Sequence, residues 1–298
     1  MMSAYWILSI FGFILLAQSL QAQVPQTDLF LFQLVRDDTS KWHVHSPQYL
    51  SAFNADGYTN QPEFISDDIL YMSVRKRDAQ QNDIYTLDLD AHSVMQVTET
   101  AESEFSPLLR PDGETFSCVR QVHGDSVDQQ LFIYPLDRSD NGYGAFTALK
   151  TIGYHCWLTE ERVALFLVGD PIRLAIANPR ADSYQIYASN IGRSLRKTAD
   201  GHLAYIHKYS DDYWYLKTLD PDSRRSEIVG ESLKGQEDFV IGPEGEYFMG
   251  SGGVLYVLDP ARNNTWTPVF DLGLFGVQKI TRLALNDRLQ LAVVSVRD

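Results

Sequence analysis

Apolar residues along this chain fall into short runs separated by polar turns, and no stretch sustains the 3.6-residue stripe of an amphipathic helix. One run, Ile69-Leu70-Tyr71-Met72-Ser73-Val74, follows the turn Ser66-Asp67-Asp68. A polar loop then leads to Asp83-Ile84-Tyr85-Thr86-Leu87-Asp88. The same grammar returns as Arg110-Pro111-Asp112-Gly113, an apolar strand from Phe116 to Val122, a polar loop, and Leu131-Phe132-Ile133-Tyr134-Pro135-Leu136-Asp137. Recurrence at about 40–50 residues is the mark of a propeller or a solenoid.

Two independent turn markers carry the period through the chain. A polar turn before an apolar strand stands at Asp67, Asp112, Glu160, Asp200, Glu244 and Asn286, at spacings of 45, 48, 40, 44 and 42 residues. A second turn recurs at Leu87-Asp88, Leu136-Asp137, Ala177-Asn178, Leu219-Asp220 and Leu258-Asp259. Asp and Asn close hairpins by bonding their own backbone, and Gly and Pro supply the required φ. Each period therefore reads as four antiparallel strands, a to d, and predicts an all-β, six-bladed β-propeller. After Asn286-Asp287 only Leu289 to Val296 remains, so the last period has strands a and b alone. The missing c and d are expected in Asp28 to Val35 and His43 to Phe53, which would close the ring as a composite blade and leave no open sheet edge.

Residues 1–22 are a different material. Ala4 to Ala17 is apolar, and Gln18-Ser19-Leu20-Gln21-Ala22 follows, the layout of a signal peptide cleaved after Ala22. The other reading is an uncleaved anchor, although the run is shorter than the ~20 residues a membrane span needs. Residues 23–298 are expected to form one propeller domain, and 16 Tyr and 15 Phe suit its packed strands. A net charge of −14 argues against a nucleic-acid partner, which would require clustered Lys and Arg. Two cysteines, Cys118 and Cys156, could bridge in an exported chain or stay as buried thiols.

Catalytic motifs are absent from the sequence. There is no Gly-x-Ser-x-Gly nucleophile elbow, and Gly250-Ser251-Gly252-Gly253 lacks the Lys and helix of a phosphate loop. His43 and His45 share one strand face but have no third ligand nearby, and the histidines at 92, 123, 155, 202 and 207 show no ligand spacing.

Arg110-Pro111-Asp112-Gly113, with Asp83-Ile84-Tyr85-Thr86-Leu87-Asp88 and Gln96-Val97-Thr98, resembles the TolB-like (PD40, WD40-like) propeller repeat. The resemblance is best from Asn54 to Val122 and elsewhere rests on the period. It implies an exported, non-enzymatic disc, periplasmic or on the outer surface or secreted. Such a disc would be a monomer without a stable membrane span after signal removal, binding an envelope or secreted protein or peptide over one face.

Blade geometry identifies that face. The d-to-a and b-to-c connections share one end, and the tight a-to-b and c-to-d turns share the other. Variable loops are expected at Arg75 to Asn82, Gln121 to Gln130, Gly169 to Ile172, Lys208 to Tyr213 and Gly250 to Gly253. By register, Asn60, Glu104, Tyr154, Arg193, Gln236 and Gln278 should reach the mouth of the central channel. They would form either a recognition site or a polar lining for water. No cofactor is expected. The alternative is a propeller lyase or lactonase holding a divalent cation at the channel mouth through Glu104 and Asn60.

Overall fold

The computed structural model of the chain describes residues 25–123 and 127–297. The expected signal segment, residues 1–22, lies outside them. The described chain enters through β1 (Thr27–Arg36) and β2 (Trp42–Tyr49). Blade 1 is β3 (Tyr58–Ser66), β4 (Ile69–Arg75), β5 (Asp83–Asp88) and β6 (Ser93–Gln96). Blade 2 is β7 (Ser103–Leu109), β8 (Thr115–His123), β9 (Val127–Pro135) and β10 (Tyr143–Gly144). Blade 3 is β11 (Ile152–Thr159), β12 (Arg162–Leu167), β13 (Arg173–Asn178) and β14 (Ser183–Ser189). Blade 4 is β15 (Ile191–Lys197), β16 (Leu203–Lys208), β17 (Trp214–Leu219) and β18 (Ser226–Glu231). Blade 5 is β19 (Phe239–Ile241), β20 (Tyr247–Ser251), β21 (Val254–Asp259) and β22 (Asn263–Asp271). The last strands, β23 (Lys279–Leu285) and β24 (Gln290–Val296), join β1 and β2 in the order β2-β1-β24-β23.

That sheet is the expected composite blade, blade 6. β1 runs antiparallel to β24 with Leu29 opposite Val294, Leu31 opposite Ala292 and Gln33 opposite Gln290. Side chains reinforce the closure: the Arg297 Nε donates to Asp28 Oδ2 at 2.6 Å, and the Tyr49 hydroxyl donates to Asp28 Oδ1 at 2.7 Å. Burial alone would raise the Asp28 carboxyl, but these hydrogen bonds outweigh it and hold the group below its usual value.

The core lies between blades rather than under one sheet. Six apolar clusters are present among the described residues, one at each junction of neighbouring blades. Successive residues on a strand point to opposite faces, so each central strand feeds two clusters. Leu29 and Leu31 pack toward blade 1, while Phe30, Phe32 and Leu34 pack toward blade 5. Val163 and Leu165 face blade 2, while Ala164 and Phe166 face blade 4. Two buried faces per strand explain why the b and c strands read as continuous apolar runs. The two cysteines go to different junctions, Cys118 between blades 1 and 2 and Cys156 between blades 3 and 4, and both are free thiols. Burial pushes the Cys156 thiol up to about 11.

The marker turns close the strands as their chemistry requires. Asp112 Oδ1 accepts from the backbone N–H groups of Glu114 and Thr115 at 3.0 and 2.9 Å. Asp88, Asp220 and Asp259 accept from the backbone two residues on, and Asn286 from Gln290. One expected loop is corrected. Gln121 to Gln130 is mostly hairpin, with Arg120 opposite Gln130 and Val122 opposite Asp128. Ladder bonds form between backbone groups, so paired strands with polar side chains read in sequence as a loop.

A candidate binding site in the central channel

The innermost strand of each blade lines the central channel, where a cavity of about 60 Å³ opens among Gln61 and Glu63 of β3, Ser106 of β7, Tyr154 and His155 of β11, Arg193 and Arg196 of β15, Asp238 before β19, and Arg282 of β23. Asp238, Gln61, Tyr154, His155 and Arg193 lie toward the strand starts, the end that carries the d-to-a and b-to-c connections, while Ser106 and Arg282 stand at mid-strand and Glu63 and Arg196 lie beyond it.

Guanidinium groups dominate the wall. Arg193 reaches Asp238 with Nε at 3.2 and 3.1 Å from its two oxygens, and Arg282 Nη1 approaches the same oxygens at 3.2 Å. One carboxylate therefore serves two guanidiniums. The other partners of Arg282 are neutral, the Thr281 carbonyl at 2.8 Å and the Tyr154 hydroxyl at 3.1 Å. Glu237 takes Lys208 Nζ at 2.7 Å and Arg193 Nη1 at 3.4 Å. Deeper in, Arg196 lies 3.5 Å from Glu63, whose carboxyl burial pushes up against the opposing pull of that arginine. Tyr58, beside this cluster, is pushed up to about 12 by burial.

Of the six residues expected at the mouth, Tyr154 and Arg193 line this cavity and four do not. Asn60 is buried and its Oδ1 accepts from the Gln61 backbone N–H at 2.7 Å. Glu104 is wholly buried, held by the Thr98 hydroxyl at 3.2 Å and by that of Thr100, with Arg120 Nε 3.8 Å away. Burial pushes its carboxyl up to about 7. Gln236 is half-buried in its connection, its backbone N–H donating to the Leu233 carbonyl at 2.9 Å. Gln278 is exposed, its backbone N–H donating to Ser295 Oγ at 2.9 Å.

The offset has a physical source. Register shifts interrupt β3 between Asn60 and Glu63, β7 between Phe105 and Leu108, β15 between Ile191 and Leu195, and β23 between Ile280 and Arg282. A bulge inserts a residue and re-aims the side chains after it. The cavity thus receives Gln61, Ser106 and Arg282 through these shifts, and Asp238 joins them from the connection before β19, whose own ladder has no shift. Gln61 and Ser106 both sit in the left-handed region, with φ of 53°, at matching positions of adjacent blades. Gln61 Oε1 accepts from the Ser106 backbone N–H at 2.9 Å, tying the two bulges together.

A serine–histidine pair adjoins the cavity. Ser117 Oγ and His155 Nε2 are 2.7 Å apart, and Trp157 Nε1 donates to the same oxygen at 2.8 Å. This is not a nucleophile with its base. Ser117 is fully buried, burial brings His155 down to about 3, and the Nδ1 of His155 has no partner where a triad would supply a carboxylate. Among the described residues no three His, Cys, Asp or Glu side chains group as metal ligands, and neither Asn60 nor Glu104 lines the channel cavity.

Exposed apolar side chains stand on three of the connections at the d-to-a and b-to-c end of the blades. Phe53 is in the β2–β3 connection, Tyr209 and Tyr213 in the β16–β17 loop, and Leu274 and Phe275 in the turn between β22 and β23. Tyr209 and Leu274 expose 73% and 74% of their surface.

Solved structures share this architecture. TolB from Acinetobacter baumannii superposes with a TM-score of 0.59 at 13% identity over 89% of this chain, which spans 63% of that protein's length. A protein described as TolB from Agrobacterium tumefaciens gives 0.68 at 12% identity, covering 92% of this chain and 99% of the other. In fold, the chain is a TolB-like six-bladed propeller. Oligogalacturonate lyase from Vibrio parahaemolyticus also superposes, with a TM-score of 0.53 at 10% identity over 92% of this chain and 99% of its own. The TolB-like fold is therefore shared with an enzyme. No family model and no curated protein matches the sequence. Among the described residues, no helix is long and apolar enough to cross a membrane.

Proposed function

We propose that this TolB-like propeller is an exported, non-enzymatic binding module that holds a protein or peptide partner over the face formed by its d-to-a and b-to-c connections. The observation that carries the reading is the pairing on one face of exposed Phe53, Tyr209, Tyr213, Leu274 and Phe275 with a polar cavity of about 60 Å³. Aromatic side chains on stiff loops are the usual anchors of protein interfaces. The cavity holds a few waters or one small polar group, where a small-molecule site commonly offers about 300–1,000 Å³. It therefore suits the tip of a partner better than a sugar chain. Export rests on the sequence of residues 1–22, and a mature chain beginning at Gln23 is the expected product.

A tagged propeller incubated with envelope extract is expected to retain a specific partner. The double variant Tyr209→Ser/Leu274→Ser should lose it at least tenfold, while Glu160→Ser, on the turn face, should retain it. Loss through Glu160→Ser with retention by the double variant would reverse the choice of face. Stoichiometric uptake of a divalent ion with turnover of an anionic sugar or lactone would replace the reading by the enzyme one.

A further inference from the structure

Building on the binding reading, we infer that the channel cavity is a carboxylate receptor, in which Arg193 and Arg282 grip an acidic group of the partner between them. The charged residues lining the cavity are Arg193, Arg196 and Arg282 against Glu63 and Asp238, a surplus of one positive charge (3 − 2) in a chain of net charge −14. Glu237 and Lys208 lie just outside and cancel each other at 2.7 Å. A surplus charge held among protein atoms is costly unless an opposite charge satisfies it. The guanidinium side chains of Arg193 and Arg282 keep only 30% and 15% of their surface, so solvent does little of that work.

The geometry selects the anion. A guanidinium fork matches the two coplanar oxygens of a carboxylate, and Asp238 already shows the bridging arrangement from within the protein. A second carboxylate entering from the face takes over the Arg282 donors now spent on the neutral Thr281 carbonyl and Tyr154 hydroxyl. Other polar groups of the wall are donors as well. The Ser106 hydroxyl has no partner in the protein. The Ser117 hydroxyl has His155 Nε2 at 2.7 Å and the Leu108 carbonyl only at 3.5 Å, so it donates to Nε2 and leaves the proton of His155 on the unpartnered Nδ1. The two carboxylates of the wall, Asp238 and Glu63, are already engaged by Arg193, Arg282 and Arg196. A cavity rich in donors and with room for one small group fits a C-terminal carboxylate or the end of an Asp or Glu side chain.

The test uses the purified propeller and small probes, so it needs no partner. Arginine side-chain Nε–Hε resonances are followed by NMR at constant ionic strength while acetate, N-acetylglycine, N-acetylglycinamide or inorganic phosphate is added against a chloride reference. Acetate and N-acetylglycine are expected to saturate shifts of the Arg193 and Arg282 signals, and N-acetylglycinamide is expected to leave them in place. Asp238→Asn, which removes the charge that the two guanidiniums share, should tighten acetate binding by about tenfold, and Arg282→Gln should abolish saturation while the remaining spectrum stays folded. A purely structural Asp238 would give no gain in affinity. Absence of a carboxylate response, or phosphate binding as tightly as acetate, overturns the proposal. If the wild type retains a partner through Tyr209 and Leu274 yet shows no carboxylate response, the binding reading stands and this inference falls. Saturable carboxylate binding with no partner retained leaves the receptor and removes the binding module. An acidic peptide with a free C-terminus, compared with its C-terminally amidated form, separates the two sources of the carboxylate.

Discussion

Phe32→Ala is expected to lower the unfolding free energy by about 3–5 kcal/mol and to make opening of blade 6 the first step of denaturation. Phe32 is wholly buried in the core that blade 6 shares with blade 5, stacked on Phe30 at 6.3 Å and against Phe275 at 5.8 Å. Its backbone pairs with Leu291, within the only ladder that links the first described strand to the last. A cavity there weakens two things together, the apolar junction and the register of β1 against β24. Each blade keeps its outer strand as an edge, and parting that ladder exposes two further edges, on β1 and β24, at one step. Ile186→Ala on outer strand β14, where the side chain is 41% exposed, should change stability by less than about 1 kcal/mol. Urea midpoints measured on both variants decide the matter. Equal shifts would mean that the composite blade does not hold the ring shut.

Ring closure was legible in the sequence because it depends on local signals repeated at fixed distance. Asp67, Asp112, Glu160, Asp200, Glu244 and Asn286 all fall at the a-to-b turns, and Leu87-Asp88 and its counterparts end the c strands. Such turns are made by residues acting on their own backbone, so sequence alone reveals them. The channel wall was only half legible. Tyr154 and Arg193 reach it, but Glu104 is turned into the packing beside Thr98 and Thr100, and Gln61 and Ser106 arrive through bulges with positive φ. A bulge answers to the strands on either side of it and leaves no fixed residue type behind, so counting from the turns slips by one or more positions. Arg282 and Asp238 carried a signal that could have been used: charged residues on or beside an otherwise apolar inner strand need opposite charges, and Arg193, Asp238 and Arg282 recur at blade spacing.

Glu104→Gln is expected to leave stability nearly unchanged near pH 4.5 and to raise it by about 3 kcal/mol at pH 8. The Glu104 side chain has no exposed surface, and burial pushes its carboxyl from 4.5 up to about 7. Between those values the folded chain keeps a proton that the unfolded chain releases, so wild-type stability falls as pH rises through this window and is lowest above it. Asp83 strengthens the upward push and Arg120 opposes it, while Cys118 and Tyr134 face the same carboxyl and are themselves raised, burial being the main cause. A glutamine keeps the size and, like the protonated carboxyl, offers the Thr98 and Thr100 hydroxyls one acceptor and one donor, and it never ionises. The variant's stability relative to wild type should therefore grow steadily from pH 4.5 to 7 and then level off, as read from urea unfolding at successive pH values. Parallel profiles would show that the carboxyl is already ionised at low pH inside the blade. In that case a buried anion beside Arg120 would again be available as a cation ligand, which a carboxyl still half-protonated at neutral pH is poorly placed to be.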